Sequence, residues 1–169
     1  MKGRVTIKKN SKGRAALERA LKRIDSDRPV VKVGLLAGSS AKREDGLSNP
    51  ELGVIHEFGT SRIPARPFLR PAIRKHADEY TRALEGVLKR ALNGEDYERG
   101  LKLIGQKASA DVKNFVTRGP AIPPPNAPAT LARKEAKRRP GSKGAVRTLV
   151  DTGRMVGSIS YEVQKGSKK

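Results

Sequence analysis

The chain has 169 residues, with 37 Lys and Arg against 17 Asp and Glu, a formal net charge of +20. Zero Cys excludes a disulfide-stapled fold, Cys-ligated zinc and thiol catalysis. No run of about 18 apolar residues occurs, so a membrane-spanning helix is excluded as well.

The length suits one domain over residues 1–169. Hydrophobic residues make up 36% and aromatics 4%, which implies a thin core. The excess positive charge opposes compaction. Composition therefore calls for a polyanion, an acidic protein surface or an assembly of copies, without choosing among them.

Residues 1–10 form a basic lead in which Val5-Thr6-Ile7 alternates like a short edge strand. No apolar stretch follows it, so synthesis in a cytoplasm without a secretory leader is expected. From Ser11 to Asp25, Leu17, Leu21 and Ile24 keep the i, i+4, i+7 spacing of an amphipathic helix with a basic outer face. Asp27-Arg28-Pro29 ends it. Val30–Leu36 is the strongest strand signal, with Val31, Val33 and Leu35 on one face. Gly38 to Gly46 reads as a loop. A helix over Pro50–Phe58 follows, with Asn49 as its N-cap, Leu52, Ile55 and Phe58 inward, and Gly59 as its stop.

Pro64 and Pro67 hold Thr60–Phe68 in an extended path. Arg70-Pro71 opens one long helix that lasts to Asn93-Gly94. A second long helix spans Glu95–Val116 on the stripe Tyr97, Leu101, Ile104, Ala108, Val112 and Phe115. Gly100 and Gly105 weaken it by about 1 kcal/mol each relative to Ala, which a closely packed helix would offset. Residues 119–144 read as an extended Pro-rich and basic arm, with a short helix near Ala129–Arg138. Val146–Val150 reads as a strand, Asp151 as the cap of a turn over Thr152–Gly157, and Ile159, Tyr161 and Val163 as a last strand. A basic tail covers 165–169. The fold class is α+β: a small mixed or antiparallel sheet packed with two long helices, plus the arms.

Chemistry-bearing motifs are scarce. His56-Glu57 could suggest an acid–base pair, but adjacent helical residues do not face each other. HExxH, a P-loop and a nucleophile elbow are all missing from the sequence. Asp151-Thr152-Gly153 reads as a helix cap before it reads as catalysis. No enzyme activity, cofactor or metal is expected.

Three blocks carry a resemblance. They are Val33-Gly34-Leu35-Leu36-Ala37-Gly38; Ile55-His56-Glu57-Phe58-Gly59-Thr60 with Ile63-Pro64-Ala65-Arg66-Pro67-Phe68-Leu69-Arg70-Pro71-Ala72; and Leu149-Val150-Asp151-Thr152-Gly153-Arg154-Met155 leading to Ser158–Val163. In this order, over roughly residues 30–164, they resemble the neck and tail-completion proteins of tailed bacteriophages, the lambdoid minor tail component family (Z-like). The resemblance implies a structural virion subunit, made and assembled in the host cytoplasm. It would form a ring at the neck or head-proximal tail that joins the head connector to the tail and lets DNA pass. The implied partners are further copies, six-fold favoured and twelve-fold the alternative, and the connector or adaptor, tail terminator and tube proteins.

Within that reading, Phe58, Ile63, Phe68 and Leu69 are candidate subunit or core anchors. Arg62, Arg66 and Arg70 would pair with acidic groups. The plain alternative is a rigid loop capping its own core. Arg133, Lys134, Lys137, Arg138, Arg139 and Lys143 are candidates for contact with an acidic partner or with double-stranded DNA through phosphate charge, insensitive to sequence. With no aromatic interleaved, base stacking is not expected there. The competing function is a basic nucleic-acid-binding protein of ribosomal or nucleoid type, which the net charge motivates.

Overall fold

The computed structural model describes residues 11–36, 46–138, 146–151 and 153–165, with side chains from residue 13 onward. The Val5–Ile7 strand, most of the loop after Gly38, Arg139, Lys143 and the last four residues lie outside that set. The described residues form α1 (Ser11–Asp27), β1 (Val30–Leu35), α2 (Asn49–Phe58), α3 (Leu69–Lys75), α4 (Ala77–Leu92), α5 (Glu98–Arg118), α6 (Pro128–Ala136), α7 (Arg154–Gly157) and β2 (Ile159–Gln164). This is an α+β fold with two long helices, α4 and α5, and a small antiparallel sheet.

The sheet pairs two of the predicted strands, Val30–Leu35 and Ile159–Gln164. Val31 lies opposite Val163, Val33 opposite Tyr161 and Leu35 opposite Ile159. Because strand side chains alternate, these six share one face. That face lies on α5, where Gly105 comes against both Tyr161 and Val31. The opposite face carries Lys32 and Glu162, which are exposed.

Helix α5 is the spine. Its 21 residues give it a length of about 32 Å. It buries Leu101, Ala108, Val112 and Val116, and both strands, α3 and α4 pack on it. The main core gathers Val112 and Val116 with Phe68, Ala72, Ile122, Leu149, Met155, Val156 and Ile159. A smaller cluster joins Ala91, Tyr97 and Leu101 to Ile24, Val31, Val87 and Val163. Each fully buried side chain of this size contributes about 1.5–3 kcal/mol. Two phenols bind the helices laterally. Tyr80 of α4 donates to Asp111 of α5 at 2.8 Å, and Tyr97 donates to Asp27 of α1. Burial pushes both phenols above the ordinary tyrosine range, and the carboxylate partners push them further.

Several expectations need correction. The long helix after Arg70 is two helices, because the chain at His76 takes φ −113 and ψ 14 between α3 and α4. The N-cap of α2 is Ser48 and not Asn49. Ser48 Oγ accepts from the Glu51 N–H while the Glu51 carboxylate accepts from the Ser48 N–H at 2.8 Å, a complete capping box. Residues 146–150 are turn and coil rather than strand. Gly105 makes room for a strand and not for a helix, whereas Gly100 does meet Val87 of the neighbouring α4. Phe58 does not point inward and is 63% exposed. The short helix expected near Ala129–Arg138 is present as α6, Pro128–Ala136, while Ile122 in the Pro-rich stretch before it is buried.

Candidate functional site

The block from Ile55 to Ala72 folds around one carboxylate. Glu57, near the end of α2, is 5% exposed. Its Oε2 accepts from the backbone N–H of Phe68 at 2.8 Å and of Leu69 at 2.9 Å. Its Oε1 accepts from the Arg70 N–H at 3.2 Å and from Arg70 Nε at 2.8 Å. A helix start leaves its first N–H groups without intrahelical partners. Phe68 sits at the N-cap of α3 and offers no side-chain acceptor, so Glu57 supplies the cap from another helix. The negative charge also suits the positive end of the helix dipole. Burial pushes the carboxyl up, but Arg70 and the N–H groups of Leu69, Phe68 and Arg70 outweigh it and hold Glu57 below the usual glutamate range.

The turn between the two helices is equally determined. Thr60 N–H donates to the Ile63 carbonyl at 2.8 Å, and Thr60 Oγ1 accepts from the Ile63 N–H at 3.0 Å. Gly59 takes φ 76, and a Cβ there would lie 2.8 Å from the Ala65 nitrogen. Only glycine meets both demands. Arg66 N–H donates to the His56 carbonyl at 2.6 Å, closing the loop back on α2.

Residues singled out from the sequence separate into three groups. Phe68 is buried in the core at 2% exposure, and Leu69 is half-buried against it. Arg66 and Arg70 are staples. Arg66 donates to the carbonyls of Pro124 and Pro125 at 2.8 and 3.0 Å, not to an acid. Arg70 does meet an acid, Glu57 of its own chain, and its guanidinium lies 4.8 Å from the centre of the Phe58 ring. Phe58, Arg62 and Ile63 face outward. Val54 joins them, 58% exposed and one helical turn before Phe58.

The basic residues of the arm also divide. Arg133 and Lys137 are exposed on and just after α6. Arg138 reaches Glu135 at 2.7 Å. Lys134 is turned inward and does not belong to the outward cationic set. Its ammonium donates to the carbonyls of Arg147, Thr148 and Val150 at 2.9, 3.0 and 2.8 Å, and the residue is 8% exposed. Burial lowers its pKa from the ordinary lysine value, with Asp151 opposing. Arg147, unremarked in the sequence, donates to the carbonyls of Val116 and Gly119 at the end of α5, where a cation suits the helix terminus.

Besides Arg147, two residues escape the sequence reading. Glu57 stands in the sequence beside His56, yet its carboxylate is spent on α3 and Arg70. The signal lay in an acid ending one helix just before a helix whose N-cap position, Phe68, cannot cap. Val54 had no signal except its place one turn before Phe58. No helix among the described residues is long and apolar enough to cross a membrane. No protein-family model, curated protein or solved structure matches the chain.

Proposed function

We propose that this chain is a structural virion protein of a tailed-bacteriophage neck, a subunit of a ring that joins head connector to tail and lets DNA pass. The resemblance of its three sequence blocks supports this, and one structural observation carries it. The block with the most specific motif is rigid inside and apolar outside. Glu57, Gly59 and Arg66 fix its backbone, while Val54, Phe58 and Ile63 are left in solvent at 58%, 63% and 38% exposure. A fixed apolar surface loses little conformational entropy when it docks, and exposed apolar clusters mark contact sites. The ring copies would meet here, six-fold favoured, with connector, terminator and tube proteins as further neighbours in the virion.

The exposed Arg133 and Lys137 give the ring a cationic element suited to phosphate. The same two residues favour the second reading, a free nucleic-acid binder of ribosomal or nucleoid type. Imaging of the purified protein separates the two. Closed rings, and incorporation of tagged protein into virions, support the neck subunit. A lasting monomer with tight RNA affinity supports the second reading instead.

A further inference from the structure

Among the described residues, most of the exposed large hydrophobics gather in two places. Val54, Phe58 and Ile63 stand outward on α2 and the turn after it. Leu21 of α1 and Leu84 and Leu88 of α4 form the second set, at 50%, 44% and 46% exposure. This second set lines a groove of about 750 Å³. Beneath it lie Ile24, Val87, Ala91 and Leu101, which belong to the smaller core cluster. Leu84 and Leu88 are four apart and share one side of α4. Leu17, one turn before Leu21 on α1, is 43% exposed and continues the apolar stripe.

Neighbours in a ring touch head to tail, so each copy needs two different patches that complement each other. The α2 face projects and the groove is recessed, and both are apolar. Their charges are opposite. Asp25 and Glu85 line the groove against Arg28 alone, a net −1 in a chain of +20. Arg28 pairs with Asp25 at 3.3 Å, while Glu85 is exposed and in no ion pair among the described residues. The α2 face is cationic. Arg62 is exposed beside Ile63 and in no ion pair among the described residues. Arg70, over the Phe58 ring, keeps 54% of its side chain exposed while it holds Glu57. Glu51, the exposed acid of α2, is spent on Ser48 in the capping box.

We infer that the α1–α4 groove receives the Val54, Phe58 and Ile63 face of the next copy, with Arg62 meeting Glu85 at the rim. The inference rests on the ring reading and supplies the second half of its contact. Val54 and Phe58, one helical turn apart, form a ridge that lies between two helices, as helix ridges pack into grooves. A contact of like patches would do worse on charge. Two α2 faces would bring Arg62 and Arg70 against their own copies, and two grooves would bring Glu85 against Glu85.

The test mixes two full-length variants and reads sedimentation velocity. One carries Val54→Asp with Phe58→Asp and keeps the groove. The other carries Leu84→Asp with Leu88→Asp and keeps the α2 face. Each alone should be a monomer with the wild-type far-ultraviolet circular dichroism. Their equal mixture should form a dimer and nothing larger, because one intact face and one intact groove remain between them. Adding Glu85→Arg to the groove-bearing variant should weaken that dimer about tenfold, and Arg62→Glu on the other variant should restore it. A mixture that stays monomeric beside an oligomeric wild type would overturn this inference alone. A wild type that is monomeric as well would remove the ring reading with it. Aspartates at Leu84 and Leu88 that leave the wild-type oligomer intact would overturn the inference by giving the groove to a different partner. Self-association of the groove-bearing variant would overturn it too, by pairing groove with groove.

Discussion

Glu57 of α2 and Arg70 of α3 meet at 2.8 Å, and the same carboxylate closes the N-terminus of the helix that carries the arginine. The pair converts a Pro-rich turn into a rigid hairpin of helices. It also parks the Arg70 guanidinium over Phe58, the most exposed large hydrophobic of the block. Interior order and surface display thus depend on one carboxylate.

Glu57→Gln tests that dependence. The amide keeps one acceptor and turns a donor toward N–H groups already seeking acceptors, so stability should fall by about 2 kcal/mol. The pH response follows from the lowered Glu57 pKa. A carboxyl whose folded pKa lies below its unfolded value, about 4.3, adds stability that is complete above that value. The contribution is lost as pH falls through the folded pKa. Thermal midpoints of the wild type should therefore drop on acidification below about pH 4.3 more steeply than those of Glu57→Gln. Parallel acid limbs would contradict the assignment.

Gly105 and Gly86 should respond to alanine with opposite signs. At Gly86, in the middle of α4, an added Cβ meets nothing within 4 Å, so Gly86→Ala should gain about 0.5–1 kcal/mol from helix propensity. At Gly105 the Cβ would fall 2.8 Å from Tyr161 Cγ and 3.1 Å from Val31 Cγ1. Both partners are fixed in the sheet, so overpacking of about 1–3 kcal/mol should exceed the propensity gain. Chemical denaturation of the two variants reads the signs directly.

Lys134→Met should loosen the segment before α7. It keeps the apolar stem but leaves three carbonyls, those of Arg147, Thr148 and Val150, without their shared donor. A loss of about 1–3 kcal/mol is expected, with faster hydrogen exchange at residues 146–151. Arg133→Ala, one residue away and exposed, should leave both unchanged.

If Arg133 and Lys137 touch phosphate in double-stranded DNA, changing each to Ala should lower the slope of log affinity against log salt by about 1 per residue, equally for all sequences. An unchanged slope would remove the DNA reading of the arm.

The sequence showed what depends on periodicity. The α1, β1, α5 and β2 stripes were legible because Leu21, Val31, Leu101 and Tyr161 each repeat with the period of their element. Features set by a single contact were not legible. The break at His76 leaves the apolar spacing intact across α3 and α4, so periodicity cannot show it. Lys134 reads as one more cation of a basic run until the fold presents it with three carbonyls. Phe58 reads as inward because it continues the stripe of Leu52 and Ile55, but Glu57 takes the buried position at that end of α2. Of the candidate site, the rigid Ile63–Phe68 path was visible in its prolines, whereas the carboxylate that fixes it was not.

In the proposed ring, the outward Val54–Phe58 face joins copies of this chain. Sedimentation velocity on the wild type and on Val54→Asp with Phe58→Asp tests it most directly. Both side chains are more than half exposed, so the double variant should keep its thermal midpoint. A closed oligomer is expected for the wild type, six-fold favoured, and a monomer for the variant. A wild type that stays monomeric across concentration, or a ring that survives both aspartates, would contradict it.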